Sequence, residues 1–332
     1  MRLLVTGVSG FAGAMLAPEL LGAGHEVRAL ARDPARAVAA LAERTRVQAA
    51  GGGDPLGREV DPVRDVEVVR GDVLGGDGLT RALDGIEVAY YLIHSMESPA
   101  AQMEAPFPER ERRCALNFAR AAARAGVRRI VYLGGLLPHE PSSASRHLAS
   151  RGAVQEILFA HAPDSVALRA AIVIGARSRS FRVMVRLVER MPALALPPWR
   201  SFRTRPIDAR DVTAMLLAAA DTAAVGGRSL DVGGPETLTY EEFLRRTAAL
   251  MLLPRPALAL RANITPVTAR VVAALTDEDP EFILPLMESL QSDLLPADDH
   301  AAELLGVTLH RTDAAIECAL REWEVIEPLA AR

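Results

Sequence analysis

Short apolar, β-branched runs alternate with amphipathic stretches of alanine, arginine and leucine over the first half of the chain. The pattern predicts strands at Arg2–Thr6, Glu26–Ala31, Val66–Val69, Val88–Leu92, Arg129–Leu133 and Val166–Ala170. Between them it predicts helices near Ala12–Leu21, Pro34–Arg44, Gly78–Leu83, Glu109–Ala125 and Ala144–Ala160. Strands and helices alternating at this spacing imply right-handed crossovers, hence an α/β fold with a doubly wound parallel sheet. The stretch Gln48–Asp65, with three consecutive glycines and two prolines, breaks the rhythm and reads as a surface insertion.

After about Gly175 the pattern changes. A helix is expected over Phe181–Arg190, then a Pro-rich segment with Pro192, Pro197, Pro198 and Trp199. A strand at Thr204–Ile207, a helix at Ala209–Ala220 and a short strand at Ser229–Val232 follow, and from Thr239 onward the pattern is mostly helical. The expected organisation is a core over residues 1–175 and a smaller, mostly helical lobe over 176–332. Late core elements, at about 204–232, interleave with that lobe. Met184, Val185, Leu187 and Val188 read as packing residues. Trp199 reads as a pocket residue on a capping loop.

The 332 residues carry a net charge of −4, which offers no electrostatic case for nucleic acid or an anionic membrane. Two distant cysteines, Cys114 and Cys318, have no metal-ligand spacing and fit a reduced, cytoplasmic setting. Leu3–Ala17 is not read as a secretory signal, because it holds a complete glycine turn and no cleavage site follows. No stretch reaches the roughly 18 uninterrupted apolar residues of a membrane span. There is no lysine, so every fixed positive charge is an arginine and lysine-assisted chemistry is excluded. The arginines at 177, 179, 182, 186, 200, 203 and 205 cluster locally, which reads as a solvated face or as a receptor for an anionic substrate group. Thr276–Glu281, rich in carboxylates, reads as a helix start.

The chemistry-bearing signal is Thr6-Gly7-Val8-Ser9-Gly10-Phe11-Ala12-Gly13, directly after the first strand and opening the first helix. Gly7 permits the tight turn, Gly10 lets backbone approach a pyrophosphate, and Gly13 lets the helix lie close to the sheet. The expected ligand is a dinucleotide in a Rossmann fold, bound through Gly7, Ser9, Gly10, Phe11 and Gly13. At the end of the second strand stands Arg32, where a 2′-phosphate would lie, so NADP(H) is the expected cofactor. The alternative leaves Arg32 solvated and makes Asp33 the ribose partner. Asp72 and Val73, after the third strand, are expected to contact the adenine.

Together with Leu168–Gly175 and Pro206–Val212, these residues resemble the short-chain dehydrogenase/reductase superfamily in its extended and atypical branches. Tyr90-Tyr91-Leu92-Ile93-His94-Ser95-Met96 and Tyr132-Leu133-Gly134-Gly135-Leu136 are similar to an NAD(P)H-binding, NmrA-like bacterial subgroup. The resemblance implies further cofactor contacts from His94, Gly134, Ala170 and Ile172. It also implies a Tyr-x-x-x-Lys pair and a serine, and these are missing. None of the four tyrosines has an arginine four places later, and the serine position falls at Gly134-Gly135. At the matching helix stand His147 and Arg151, four apart on one face. His147 is the candidate acid or base, with His94 a second candidate, and Arg151 the candidate contact to ribose and pyrophosphate.

The expected function is an NADPH-dependent oxidoreductase acting on a small organic substrate without the usual triad. A non-catalytic NADP(H) sensor and a redox-neutral isomerase or epimerase remain as alternatives. The sequence leaves the oligomeric state open.

Overall fold

The computed structural model describes residues 1–50, 60–93, 107–138, 144–260 and 265–329, the side chains of 265–268 excepted. The first half runs β1 (Arg2–Thr6), α1 (Phe11–Gly22), β2 (Glu26–Ala31), α2 (Pro34–Ala50), α3 (Pro62–Asp65), β3 (Glu67–Arg70), α4 (Leu79–Leu83) and β4 (Val88–Tyr91). It continues through α5 (Phe107–Arg124), β5 (Arg129–Gly135), α6 (Arg146–His161) and β6 (Val166–Ala170). The later elements are β7 (Val173–Ile174), α7 (Arg179–Arg190), β8 (Leu194–Leu196), β9 (Arg203–Thr204), β10 (Ile207–Asp208), α8 (Ala209–Ala219) and β11 (Ser229–Val232). Then come β12 (Leu238–Thr239), α9 (Tyr240–Leu250), β13 (Ala257–Ala259), α10 (Thr265–Thr276), α11 (Pro280–Glu288), α12 (His300–Leu304) and α13 (Thr312–Ile326).

The central sheet has seven strands in the order β3-β2-β1-β4-β5-β6-β11, with every pairing parallel. Its order reverses between β1 and β4, which opens a crevice at the carboxyl ends of those strands. Alternate strand residues feed two apolar cores. Leu3, Val5, Tyr90, Val131 and Leu168 pack under α1, α2 and α8, while Leu4, Ala89, Tyr91, Tyr132 and Ala167 pack under α4, α5 and α6. A third core belongs to the residues after Ile172 and centres on Phe181, Val185, Phe243 and Trp323.

Two expectations are corrected. The strand expected at Thr204–Ile207 is two short strands in separate small sheets, β9 paired with β12 and β10 paired with β7, parted by Arg205-Pro206. Pro206 has no N–H to continue a ladder, and the residue before a proline is sterically constrained. Trp199 is not a pocket residue. It is 7% exposed, and its ring meets Tyr240 edge-on at 6.2 Å inside the lobe core. Val185 and Val188 are fully buried in that core, as expected of packing residues. Among the described residues, no helix is long and apolar enough to cross a membrane.

Candidate functional site

The crevice is built from the end of β1. Thr6 is fully buried, and its hydroxyl donates to Tyr90 O (2.9 Å) and accepts from Leu92 N (3.1 Å), fastening β1 to β4. Gly7 then turns with φ +72°, where a side chain is strained, and a Cβ there would lie 2.8 Å from Leu92 O. The turn closes through Gly10 N donating to Gly7 O at 2.9 Å. Gly13 lets α1 begin directly against this loop, since its Cβ would stand 2.5 Å from Gly7 O. Ser9 and Gly10 are half-buried, and the Phe11 ring packs against the Gly175 backbone.

This cradle fits a pyrophosphate. The α6, α8, α9 and α11 starts are each capped by a side chain, from Ser145, Asp208, Thr239 and Asp279 respectively. Among the described residues α1 has no such cap and no acidic residue in its first turn. Its leading N–H groups and the positive end of its dipole are therefore left for an anion.

At the end of β2, Arg32 is exposed. Asp33 is engaged as the cap of α2, accepting from Ala35 N at 3.0 Å and Arg36 N at 3.2 Å. Asp72 closes its own turn by accepting from Leu74 N at 3.2 Å, and the Val73 side chain is buried. The Asn117 amide on α5 holds that turn by donating to Val73 O and Leu74 O. Asp72 and Arg32 both act on the Cys114 thiol, which is pushed up to about 11 by burial first, then by Asp72 and Glu111, with Arg32 opposing.

At the other end, Ala170 closes β6 and its carbonyl accepts from Leu136 N, while Ile172 O accepts from Ile207 N. Gly134 has a steric reason to lack a side chain. A Cβ there would stand 2.9 Å from Cε1 of Tyr132. Arg151 is 8% exposed and donates to the Leu133 carbonyl at the end of β5. Its guanidinium also pairs with Glu111 (3.6 Å) and lies 4.9 Å over the Tyr132 ring. Ser150 completes the group by donating to Glu111 at 2.9 Å. Glu111 is missing from the sequence analysis, and Tyr132 enters it only as part of a resemblance motif. An acid on a neighbouring helix has no fixed spacing to the arginine it pairs with. His94 lies outside the described residues.

His147 stands one turn before Arg151, half-buried, with its ring centroid 6.0 Å from that of Phe107. Burial, and secondarily the Arg151 charge, push its imidazole down to about 4. It is therefore neutral at pH 7. Two residues earlier, Ser145 meets Ser289 hydroxyl to hydroxyl at 2.8 Å, where α6 touches the lobe. Because the folded chain resists protonating His147, the unfolded chain takes up that proton first as pH falls. Stability should drop between the ordinary value of 6.5 and about 4, by up to about 3 kcal/mol. Urea unfolding at pH 7 and pH 4.5 should show this loss reduced in His147→Gln.

The arginine cluster is a partly solvated face, with Arg177 and Arg203 exposed, rather than an open anion receptor. Each member has a carboxylate partner: Arg177 with Glu43, Arg179 with Glu278, Arg182 and Arg186 with Glu327, Arg200 with Glu241, Arg203 with Asp293 and Arg205 with Asp299. Arg182 and Arg186 also lie over the Trp323 ring. The Thr276–Glu281 stretch does start a helix, with Asp279 accepting from Glu281 N at 2.9 Å.

A model of the NAD dependent epimerase/dehydratase family matches residues 3–233. The chain belongs to that family. Membership gives this epimerase/dehydratase relative a nicotinamide dinucleotide as its class of cofactor, in agreement with the cradle. No curated protein matches the sequence. Among solved structures, gox2253 is similar at a TM-score of 0.71 and 19% identity, over 99% of each chain. Triphenylmethane reductase from Citrobacter sp., complexed with NADP(H), aligns at 0.68 and 16% identity, over 96% of this chain and 100% of that one. UDP-glucose 4-epimerase from Thermotoga maritima, with UDP-glucose, aligns at 0.66 and 13% identity, over 97% and 98%. At these identities the likeness is one of fold.

Proposed function

We propose that this epimerase/dehydratase-family protein is an atypical, NmrA-like short-chain reductase that uses NADPH to reduce a small organic substrate. The observation that carries the cofactor choice is the division of labour after β2. Asp33 is spent on the α2 cap, while Arg32 is exposed just after β2, where a forked cation suits a 2′-phosphate. The bound cofactor would supply hydride. Gly7, Ser9, Gly10, Phe11 and Gly13 would hold its pyrophosphate, Arg32 its 2′-phosphate, and Asp72 and Val73 its adenine. Gly134, Ala170 and Ile172 would border its nicotinamide end. Arg151, at the place of the superfamily's lysine and paired with Glu111, would contact the ribose and pyrophosphate.

The acid–base equipment favours reduction over epimerisation. Withdrawing hydride from an alcohol requires a base that takes the hydroxyl proton in the same step, and base efficiency is greatest near the working pH. An imidazole pushed down to about 4 is a weak base for that purpose. Delivering hydride to an electrophile places lighter demands on the protein. The neutral His147 ring can donate a hydrogen bond, and the proton can follow from water. The two free cysteines fit a reducing, cytoplasmic compartment.

The deciding experiment titrates the protein with NADPH, NADP⁺, NADH and NAD⁺, then follows NADPH oxidation across carbonyl, imine and quinone acceptors. Preference for NADPH with acceptor-dependent oxidation is the expected result. Tight binding without turnover would favour a sensor, and no binding of any of the four would reject the reading. Arg32→Glu should raise the NADPH Kd by about 10- to 100-fold and leave that for NADH within about threefold.

A further inference from the structure

The lobe's charge pattern deepens the proposed reading, on which it rests, by naming the class of substrate. We infer that the site admits an uncharged substrate and that the lobe excludes nucleotide-diphosphate sugars.

A diphosphate held against this lobe would need charge-assisted donors, and with no lysine only arginine can supply them. Among the described residues, Arg200, Arg203 and Arg205, in and just after the Pro-rich loop, are already bound in ion pairs. Arg200 is held by Glu241, Arg203 by both oxygens of Asp293, and Arg205 by Asp299 and the Gly234 carbonyl. Those carboxylates would lie beside any incoming phosphate, and carboxylates outnumber arginines over residues 176–332. Freeing a guanidinium would strand its carboxylate next to the diphosphate, adding repulsion to the lost pair.

On the lobe side, the junction with the crevice carries a carboxylate, Glu288 beside Ser289, and no arginine. α11 packs on α6; its Ile283 and Met287 are buried in the lobe core, its Phe282 ring lies under the Arg179 guanidinium, and its only charged residues are Glu281 and Glu288. Ser145 and Ser289 satisfy each other across the contact. His147, near the start of α6, is a neutral ring beside Phe107 of α5. Arg146, exposed beside His147, lies about 100° round the helix from it. An apolar molecule with one or two neutral acceptors suits such a junction, because an unpaired charge there would lose its hydration without gaining a partner.

The test uses the full chain saturated with NADP⁺. UDP-glucose and UMP, titrated in by calorimetry at low ionic strength, should show no saturable binding up to about 1 mM. A Kd below about 100 μM for either overturns the inference. With NADPH present, an uncharged benzoquinone should exceed its sulfonated analogue in kcat/KM by about tenfold or more, and parity or reversal overturns it. A protein that binds no NADPH fails the proposed function. One that binds NADPH and also UDP-glucose fails this inference alone.

Discussion

Gly13→Ala should weaken NADPH binding by about a hundredfold or more while the chain remains folded. The added methyl carbon would stand 2.5 Å from Gly7 O, 2.7 Å from Gly7 C and 2.8 Å from the Val8 Cα. All three are backbone atoms, so no side-chain rotation relieves the clash. Either α1 backs away from the sheet or the turn from Gly7 to Gly10 opens. Both movements take the helix N-terminus off the pyrophosphate, where backbone donors act only over hydrogen-bond distances. Overpacking of this kind lowers stability by about 1–3 kcal/mol, enough to register as a lower Tm without unfolding the protein at room temperature. Gly126→Ala is the control, because Gly126 also has a positive φ (+75°) yet a Cβ there meets nothing within 4 Å. It should lower Tm modestly and leave the NADPH Kd within about twofold. An unchanged Kd in Gly13→Ala would mean that the cofactor does not use this turn.

The same contrast shows what was legible in the chain. Gly7, Gly10 and Gly13 are backbone requirements written at fixed spacing, so their function can be read without coordinates. The six early strands announce themselves by apolar runs bounded by turn residues, and Arg2–Thr6, Glu26–Ala31 and Val166–Ala170 match to the residue. β5 runs two residues further than expected, through Gly134 and Gly135, because pairing with Arg169 and Ala170 of β6 outweighs the weak strand preference of glycine. The helix expected to end at Arg44 continues to Ala50.

What the sequence concealed are contacts between residues with no fixed spacing. Glu111 and Arg151 are 40 positions apart, and only the packing of α5 on α6 makes them partners. The arginines of residues 177–205 looked like an exposed basic cluster because their carboxylates lie elsewhere, Glu43 far upstream and Glu278, Asp293, Asp299 and Glu327 far downstream. Trp199 had the sequence context of a loop cap, yet Tyr240 from α9 folds it into the lobe core.

Arg129→Met should lower stability by about 3 kcal/mol and leave cofactor affinity unchanged. Arg129 is 1% exposed at the opposite end of β5 from the crevice. Nε and Nη2 form a two-point pair with Asp164, at 2.9 and 3.1 Å, while Nη1 donates to the carbonyls of Ala219 (2.7 Å), Thr222 (3.0 Å) and Ala220 (3.3 Å). These carbonyls lie at the end of α8, where the helix leaves acceptors unsatisfied and its dipole is negative. One guanidinium therefore joins β5, the loop before β6 and the last turn of α8. Methionine fills much of the volume but donates nothing, leaving the Ala219 carbonyl buried without its partner while Ala220 O keeps Arg128 and Thr222 O keeps Val225 N. Asp164→Asn should be milder, below about 1 kcal/mol, because Asp164 is 39% exposed and water replaces part of what it loses. Arg129→Lys should fall between the two, keeping the charge and losing the fork. Urea unfolding gives the stability series, and NADPH titration of the folded variants gives the affinities. If Arg129→Met matched Asp164→Asn in stability, the ion pair rather than the carbonyl cap of α8 would be the source of the stabilisation. If its NADPH Kd rose in proportion to the stability lost, the crevice would be coupled to the far end of β5, and the cofactor cradle would not be the self-contained unit that its backbone geometry describes.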